Sequence, residues 1–165
     1  MTFVSAHLTK SHQVADFDCG VPDLNRWLVT EAMRAQEQGT ARTTVWLSQG
    51  DVVVAYYSVA PTQVERSDVT RRLSGGVSRI PGYVLARLAL DVSLQGQHVG
   101  SKLLIDALET ICVAAASGGG RIIVVDPVDD NATRFYRHFQ FEPVRDSNRM
   151  YMLIQDARRT LDASG

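Results

Sequence analysis

The stretch Leu90-Asp91-Val92-Ser93-Leu94-Gln95-Gly96-Gln97-His98-Val99-Gly100-Ser101-Lys102-Leu103-Leu104 decides the fold. An apolar run ends at Leu90 and a polar, glycine-bearing loop follows. Val99, Leu103, Leu104, Leu108, Ile111, Cys112 and Ala115 then recur at three-to-four spacing. A β-type run that gives way to a helical period is a strand–loop–helix unit. The first amides of a helix have no partner within it and its dipole favours negative charge there, so Gly96–Ser101 would suit a pyrophosphate. A plain turn is the alternative at this point. Neither GxxxxGK[ST] nor GxGxxG occurs.

Upstream, Phe3–Leu8 reads as an opening strand. Pro22 stands where a first helical turn accepts it, and Leu24, Trp27, Leu28, Ala32 and Ala35 continue one helix up to Gly39. Thr43–Ser48 and Val52–Val59 are strands joined by Gln49-Gly50-Asp51, a hairpin signal. A short basic helix over Asp68–Leu73, a Ser74-Gly75-Gly76 loop and a strand over Tyr83–Leu90 follow. Beyond the long helix come a strand at Arg121–Asp126, a helix at Asp130–Phe139, and closing strands at Phe141–Val144 and Met150–Ile154. Consecutive strands early and strand–helix–strand later predict an α/β protein (an α+β mixed sheet) flanked by helices, not a doubly wound fold. At 165 residues the expectation is one domain over 1–165.

Composition excludes several classes. No apolar run approaches the ~20 residues of a membrane span and no charged-then-apolar leader opens the chain, so a cytoplasmic protein without membrane contact is expected. Cys19 and Cys112 lie far apart with no metal-ligand spacing, which leaves no support for a disulfide scaffold or a metal site. A net charge of −1 argues against a protein that coats nucleic acid. Charge is nevertheless clustered. Arg66, Arg71, Arg72, Arg79 and Arg87 face only Glu65 and Asp68 in one segment; Arg134, Arg137, Arg145 and Arg149 face only Glu142 and Asp146 in another. Two local basic segments on a neutral chain would focus an anionic substrate, and all but two of the 17 basic residues are Arg, the better fork for phosphate.

The second constellation is Asn131-Ala132-Thr133-Arg134-Phe135-Tyr136-Arg137-His138-Phe139-Gln140-Phe141. Phe135 and Phe139, four apart, face a core. Tyr136 is either part of that packing or a proton donor. His7, His12 and His138 have no ligand spacing, and Ser101 has no partnered His–Asp pattern.

Gln95-Gly96-Gln97-His98-Val99-Gly100 and Arg134-Phe135-Tyr136-Arg137-His138-Phe139-Gln140-Phe141, in this order, resemble the two acetyl-CoA segments of the GNAT family of N-acetyltransferases. The chain carries His98 and Gln140 where that family has glycine. Phe17-Asp18-Cys19-Gly20, Leu24-Asn25-x-Trp27-Leu28, Arg42-Thr43-Thr44-Val45, Val54-Ala55-Tyr56-Tyr57-Ser58 and Leu85-Ala86-Arg87-Leu88-Ala89-Leu90-Asp91 extend the similarity to TacT-type toxins over residues 3 to 155. The resemblance implies a GNAT fold and acetyl transfer from acetyl-CoA to the α-amino group of aminoacyl-tRNA, with no metal. It implies Tyr136 as general acid. Leu88, Ala89 and Leu90 would hold pantetheine and thioester, and Gln95, Gly96, Gln97, His98, Val99, Gly100, Ser101, Asn131 and Phe135 would complete the acetyl-CoA site. Arg79, Arg87, Arg134 and Arg137 would hold tRNA phosphates. It further implies a homodimer neutralised by a small ribbon-helix-helix antitoxin. A GNAT enzyme acting on a small amine or protein N-terminus, and a non-catalytic CoA-binding module, stay open at this stage.

Overall fold

The computed structural model describes residues 3–65 and 76–164. The basic-helix expectation at Asp68–Leu73, the arginines 66, 71 and 72, and residues 74 and 75 of the glycine loop lie outside the described residues. The sheet has seven strands: β1 (Val4–His7), β2 (Arg42–Leu47), β3 (Val53–Glu65), β4 (Arg79–Leu90), β5 (Ile122–Val125), β6 (Glu142–Pro143) and β7 (Met150–Leu153). Their order is β1-β2-β3-β4-β5-β7-β6. The helices are α1 (Pro22–Thr30), α2 (Ala32–Gln38), α3 (Val99–Gly118), α4 (Asp130–His138) and α5 (Ile154–Ser164). The mixed sheet and its α/β class agree with the sequence expectation. The chain divides into two compact units, Met1–Ala60 with Arg87–Asp106, and Pro61–Ala86 with Ala107–Gly165.

In the first unit β1, β2 and the start of β3 form an antiparallel meander, with Val45 opposite Ala6 and Tyr56. One face carries Leu8, Phe17, Leu28, Ala32, Val45, Leu47, Val53, Tyr56 and Ala89, packed with Leu24, Trp27 and Met33 of α1 and α2. The other face is tied to α3 through Asp106, whose carboxylate accepts from Ser5 Oγ at 2.9 Å and Trp46 Nε1 at 2.8 Å. Tyr56 is fully buried and donates to the Leu24 carbonyl at 2.7 Å, so its polar end is satisfied inside the core. The single helix expected from Pro22 to Gly39 is two. Glu31 leaves helical geometry (φ −120°), its amide caps Trp27 O, and α2 restarts at Ala32.

In the second unit β5 runs parallel to β4, pairing Gly82–Leu85 with Ile122–Val125, as the α3 crossover requires. β7 pairs antiparallel with β5, and β6 with β7. All four β5 residues are buried, as a strand covered on both faces demands. The closing helix α5 is absent from the sequence expectation, which ended on a strand. Its apolar residues are few, and among its described residues Ile154 and Ala157 are the buried ones.

Gly82 marks the tightest approach in this unit. A methyl group built there would lie 2.1 Å from the Ile122 carbonyl oxygen. Gly82→Ala must push two hydrogen-bonded strands apart, so it should destabilise the chain by about 1–3 kcal/mol in urea unfolding. An unchanged midpoint would show that the strand pair yields freely.

Candidate active site

Every hydrogen bond around the loop between β4 and α3 serves to fix its backbone. The Asp91 amide donates to Val54 O at 2.9 Å and the Val92 amide to Asp18 O at 2.8 Å. The Asp91 carboxylate accepts from the Ser93 amide at 3.0 Å, the Ser93 hydroxyl at 2.8 Å and the Asp18 amide at 3.2 Å. Burial pushes this carboxyl up, but these donors more than offset it and hold it below the usual carboxylate range. Gln95 Nε2 donates twice, to Leu90 O at 2.8 Å and Cys19 O at 2.9 Å. Asp18 Oδ1 in turn accepts from the Gly20 amide at 2.9 Å and Asn25 Nδ2 at 3.0 Å, while Asn25 Oδ1 takes the Cys19 amide at 2.9 Å. The Phe17-Asp18-Cys19-Gly20 segment and Asn25 are therefore the other half of one clasp.

That clasp holds the turn at 95–98 that leads into α3, whose first amides have no partner within the helix. Nothing lies within 4 Å of the Gly96 Cβ position. His98 holds φ +62°, the left-handed conformation in which glycine is at ease, so the backbone path persists although the glycine does not. The head of a 20-residue helix, entered through this turn, is a fitting seat for a diphosphate. On β4, Ala89 is buried against α1 and α2 while Leu88 and Leu90 are half-buried. Strand alternation puts those two on the opposite face.

The Tyr136 segment has its own logic. Asp129 caps α4 by accepting the Ala132 amide at 2.8 Å. At its far end the Phe141 amide donates to Tyr136 O at 3.1 Å and the Gln140 amide to Arg137 O at 3.0 Å, with Gln140 at φ +74°. This is a Schellman termination, whose apolar contact is the Phe141 ring 5.4 Å from that of Tyr136. Phe135 lies 5.4 Å from Tyr136 and 5.2 Å from Phe139. Tyr136 is left 7 % exposed. Burial, with Asp126 adding to it, pushes its phenol well above the ordinary value. Asp126 is gripped by Arg149 through two hydrogen bonds of 2.8 and 3.0 Å. Asn131 is exposed and bonded to Arg134.

The predicted arginines divide. Arg79 is exposed beside Glu65 at 3.7 Å, Arg134 is held by Asn131, and Arg137 is exposed. Arg87 is half-buried, with its guanidinium 3.8 Å from the centre of the Trp27 ring. Leu88–Leu90, Gln95–Ser101 and Arg87 belong to the first unit; Asn131–Tyr136, Arg137 and Arg79 belong to the second. Sequence reasoning missed Trp27 as a partner of Arg87 and the part Gln95 plays in the loop, where its side-chain amide donates to two carbonyls. The Asp18–Asn25 spacing was the available signal for the clasp. Among the described residues no group of acidic, His or Cys side chains is placed to hold a metal, and Cys19 and Cys112 are free thiols.

No protein-family model matches the chain. A tRNA-acetylating toxin of Mycobacterium tuberculosis is 35% identical over 153 residues, which cover 92% of each chain. The structure of AtaT complexed with acetyl-methionyl-tRNAfMet superposes with a TM-score of 0.88 at 24% identity, covering 96% of this chain and 99% of that one. A tyrosine-to-phenylalanine mutant of AtaT, bound to the C-terminus of the antitoxin AtaR and acetyl-CoA, gives 0.83 at 24% identity over 96% and 97%.

The left-handed residue ahead of α3 gives a direct test. His98→Gly relieves a strained φ and should raise stability by about 0.5–1 kcal/mol, with acetyl-CoA affinity equal or tighter. His98→Val, β-branched at the same φ, should cost about 1–2 kcal/mol. Thermal unfolding with and without acetyl-CoA reads both. A loss of affinity in His98→Gly would mean that the imidazole itself contacts the ligand.

Proposed function

The chain belongs to the tRNA-acetylating toxins, and from that premise we propose how its residues carry acetyl from acetyl-CoA to the α-amino group of aminoacyl-tRNA. It is an acetyl-CoA-dependent N-acetyltransferase of GNAT fold that blocks translation and is neutralised by an antitoxin. The observation that best supports the mechanism is the turn ahead of α3, pinned by Gln95 through Leu90 O and Cys19 O. The backbone of Gly96, Gln97 and His98, with Val99, Gly100 and Ser101 at the head of α3, holds the pyrophosphate. Backbone groups of Leu88, Ala89 and Leu90 align the pantetheine and the thioester, and Asn131 and Phe135 border the same ligand.

The amine attacks the thioester carbonyl; an N–C bond forms, the C–S bond breaks, the nitrogen gives its proton to water, and the departing sulfur takes one from a donor that water then reprotonates. An α-amino group with pKa near ~8 is already a tenth or more neutral at pH 7, so no strong base is needed. The sulfur's proton comes from Tyr136, whose burial keeps the phenol protonated across the working range. General acid help of this kind is worth roughly 10²–10⁴-fold. Arg79, Arg134 and Arg137 serve the tRNA phosphates. The whole of 1–165 acts as one catalytic domain, in the cytoplasm, as a homodimer, and its antitoxin is of ribbon-helix-helix type. No described helix is long and apolar enough to cross a membrane.

Tyr136→Phe keeps the ring contacts with Phe135 and Phe141 and removes only the hydroxyl. Its kcat should fall at least ~10-fold while acetyl-CoA affinity and thermal midpoint stay put. Unchanged turnover would make Tyr136 a packing residue. In the wild type, kcat/KM for the acceptor should rise with pH through ~8 as the amine loses its proton. It should then hold level up to ~10, because the phenol's raised pKa delays its ionisation.

A further inference from the structure

Arg87 is the arginine that fits least well with a role on an exposed phosphate track. Arg79, Arg149, Arg26 and Arg159 each lie beside a carboxylate, whereas among the described residues none pairs with Arg87. Its guanidinium is half-buried and lies on the Trp27 ring at 3.8 Å. That indole is itself held, stacked 6.1 Å from Tyr56, which is fully buried and bonded to Leu24 O. One side of the guanidinium is therefore covered by a fixed ring, and no carboxylate among the described residues takes its N–H groups. A half-desolvated cation without a counter-anion is costly to fold around unless an anion arrives to complete it.

Access decides which anion. A duplex backbone is too broad to bring a phosphate to a half-buried group, whereas a single strand threads into such a place and favours a cation beside an aromatic face. Position points the same way. Arg87 precedes Leu88 on β4, and a strand advances ~3.3 Å per residue, so its ligand lies close to the segment assigned to the thioester. We infer that Arg87, laid on Trp27, fixes the single-stranded acceptor end of the RNA by the phosphodiester next to the aminoacylated ribose. The inference rests on aminoacyl-tRNA being the acceptor. Arg87 thus positions the reacting terminus, and Trp27 keeps the fork flat.

The test compares wild type, Arg87→Lys and Trp27→Leu on two acceptors: intact aminoacyl-tRNA, and a short aminoacylated oligonucleotide with only the single-stranded 3′ end. Lysine keeps the charge but loses the planar fork, so kcat/KM should fall about 10–100-fold on both acceptors alike. KM for acetyl-CoA and the thermal midpoint should not move in Arg87→Lys. A loss on intact tRNA alone would place Arg87 on the tRNA body and overturn the inference. So would no loss on either acceptor, a loss confined to antitoxin affinity, or a fall in acetyl-CoA affinity and thermal midpoint together. Wild-type protein that acetylates neither acceptor would overturn the assigned function, and the inference with it.

Discussion

The double donation of one side-chain amide, Gln95 Nε2 to Leu90 O and Cys19 O, is the constraint on which the rest of the first unit's chemistry depends. It joins the last residue of β4, the loop ahead of α3 and the entry to α1, and Asp91 and Asp18 reinforce the joint from either side. A phosphate seat made of backbone amides has no side chain to adjust it, so its geometry is only as good as the fixation of its backbone. Hydrogen bonds are each worth about 1 kcal/mol net at most, and less where water competes, as it does for most of this clasp. Their greater effect is to remove alternative loop conformations that would point the amides elsewhere.

The same principle explains why two missing glycines do not erase the GNAT pattern. His98 and Gln140 both occupy the left-handed region, at +62° and +74°. In the first case the clasp holds the loop path. In the second, the Schellman bonds from Phe141 and Gln140 dictate the turn, and the Phe141 ring is delivered onto Tyr136. What the pattern conserves physically is a backbone path, and a non-glycine residue can follow it at a modest cost in strain.

Much of this was legible in the sequence, for identifiable reasons. The α3 seam from Val99 to Ala115 announces itself because its apolar residues recur at helical spacing over four turns, and all seven are buried. β5 is readable as four consecutive β-branched residues, all buried. The break at Glu31 was not, since no proline or glycine stands in Thr30-Glu31-Ala32 to announce it. β3 runs on through Pro61 to Glu65, where composition signals an end, because pairing to neighbouring strands overrides local preference. At the site, the residue types were visible and their employment was not. That Gln95 also fastens the loop and that Arg87 is a half-buried fork on an indole are visible only in the structure. Periodicity reports which face a residue occupies, but not which of its atoms are already engaged.

The chemistry we propose asks little of side chains: a neutral amine, a seated thioester and one proton for the leaving sulfur. Such a minimal apparatus would serve many amines, so the choice of aminoacyl-tRNA must come from the acceptor's length and charge. The most direct measurement is the destination of isotope-labelled acetyl from acetyl-CoA among aminoacyl-tRNA, the same tRNA stripped of its amino acid, and the free amino acid, across a salt series. The account predicts label on aminoacyl-tRNA alone, falling steeply as salt rises because phosphate contacts release counterions. Equal labelling of the free amino acid, indifferent to salt, would contradict it.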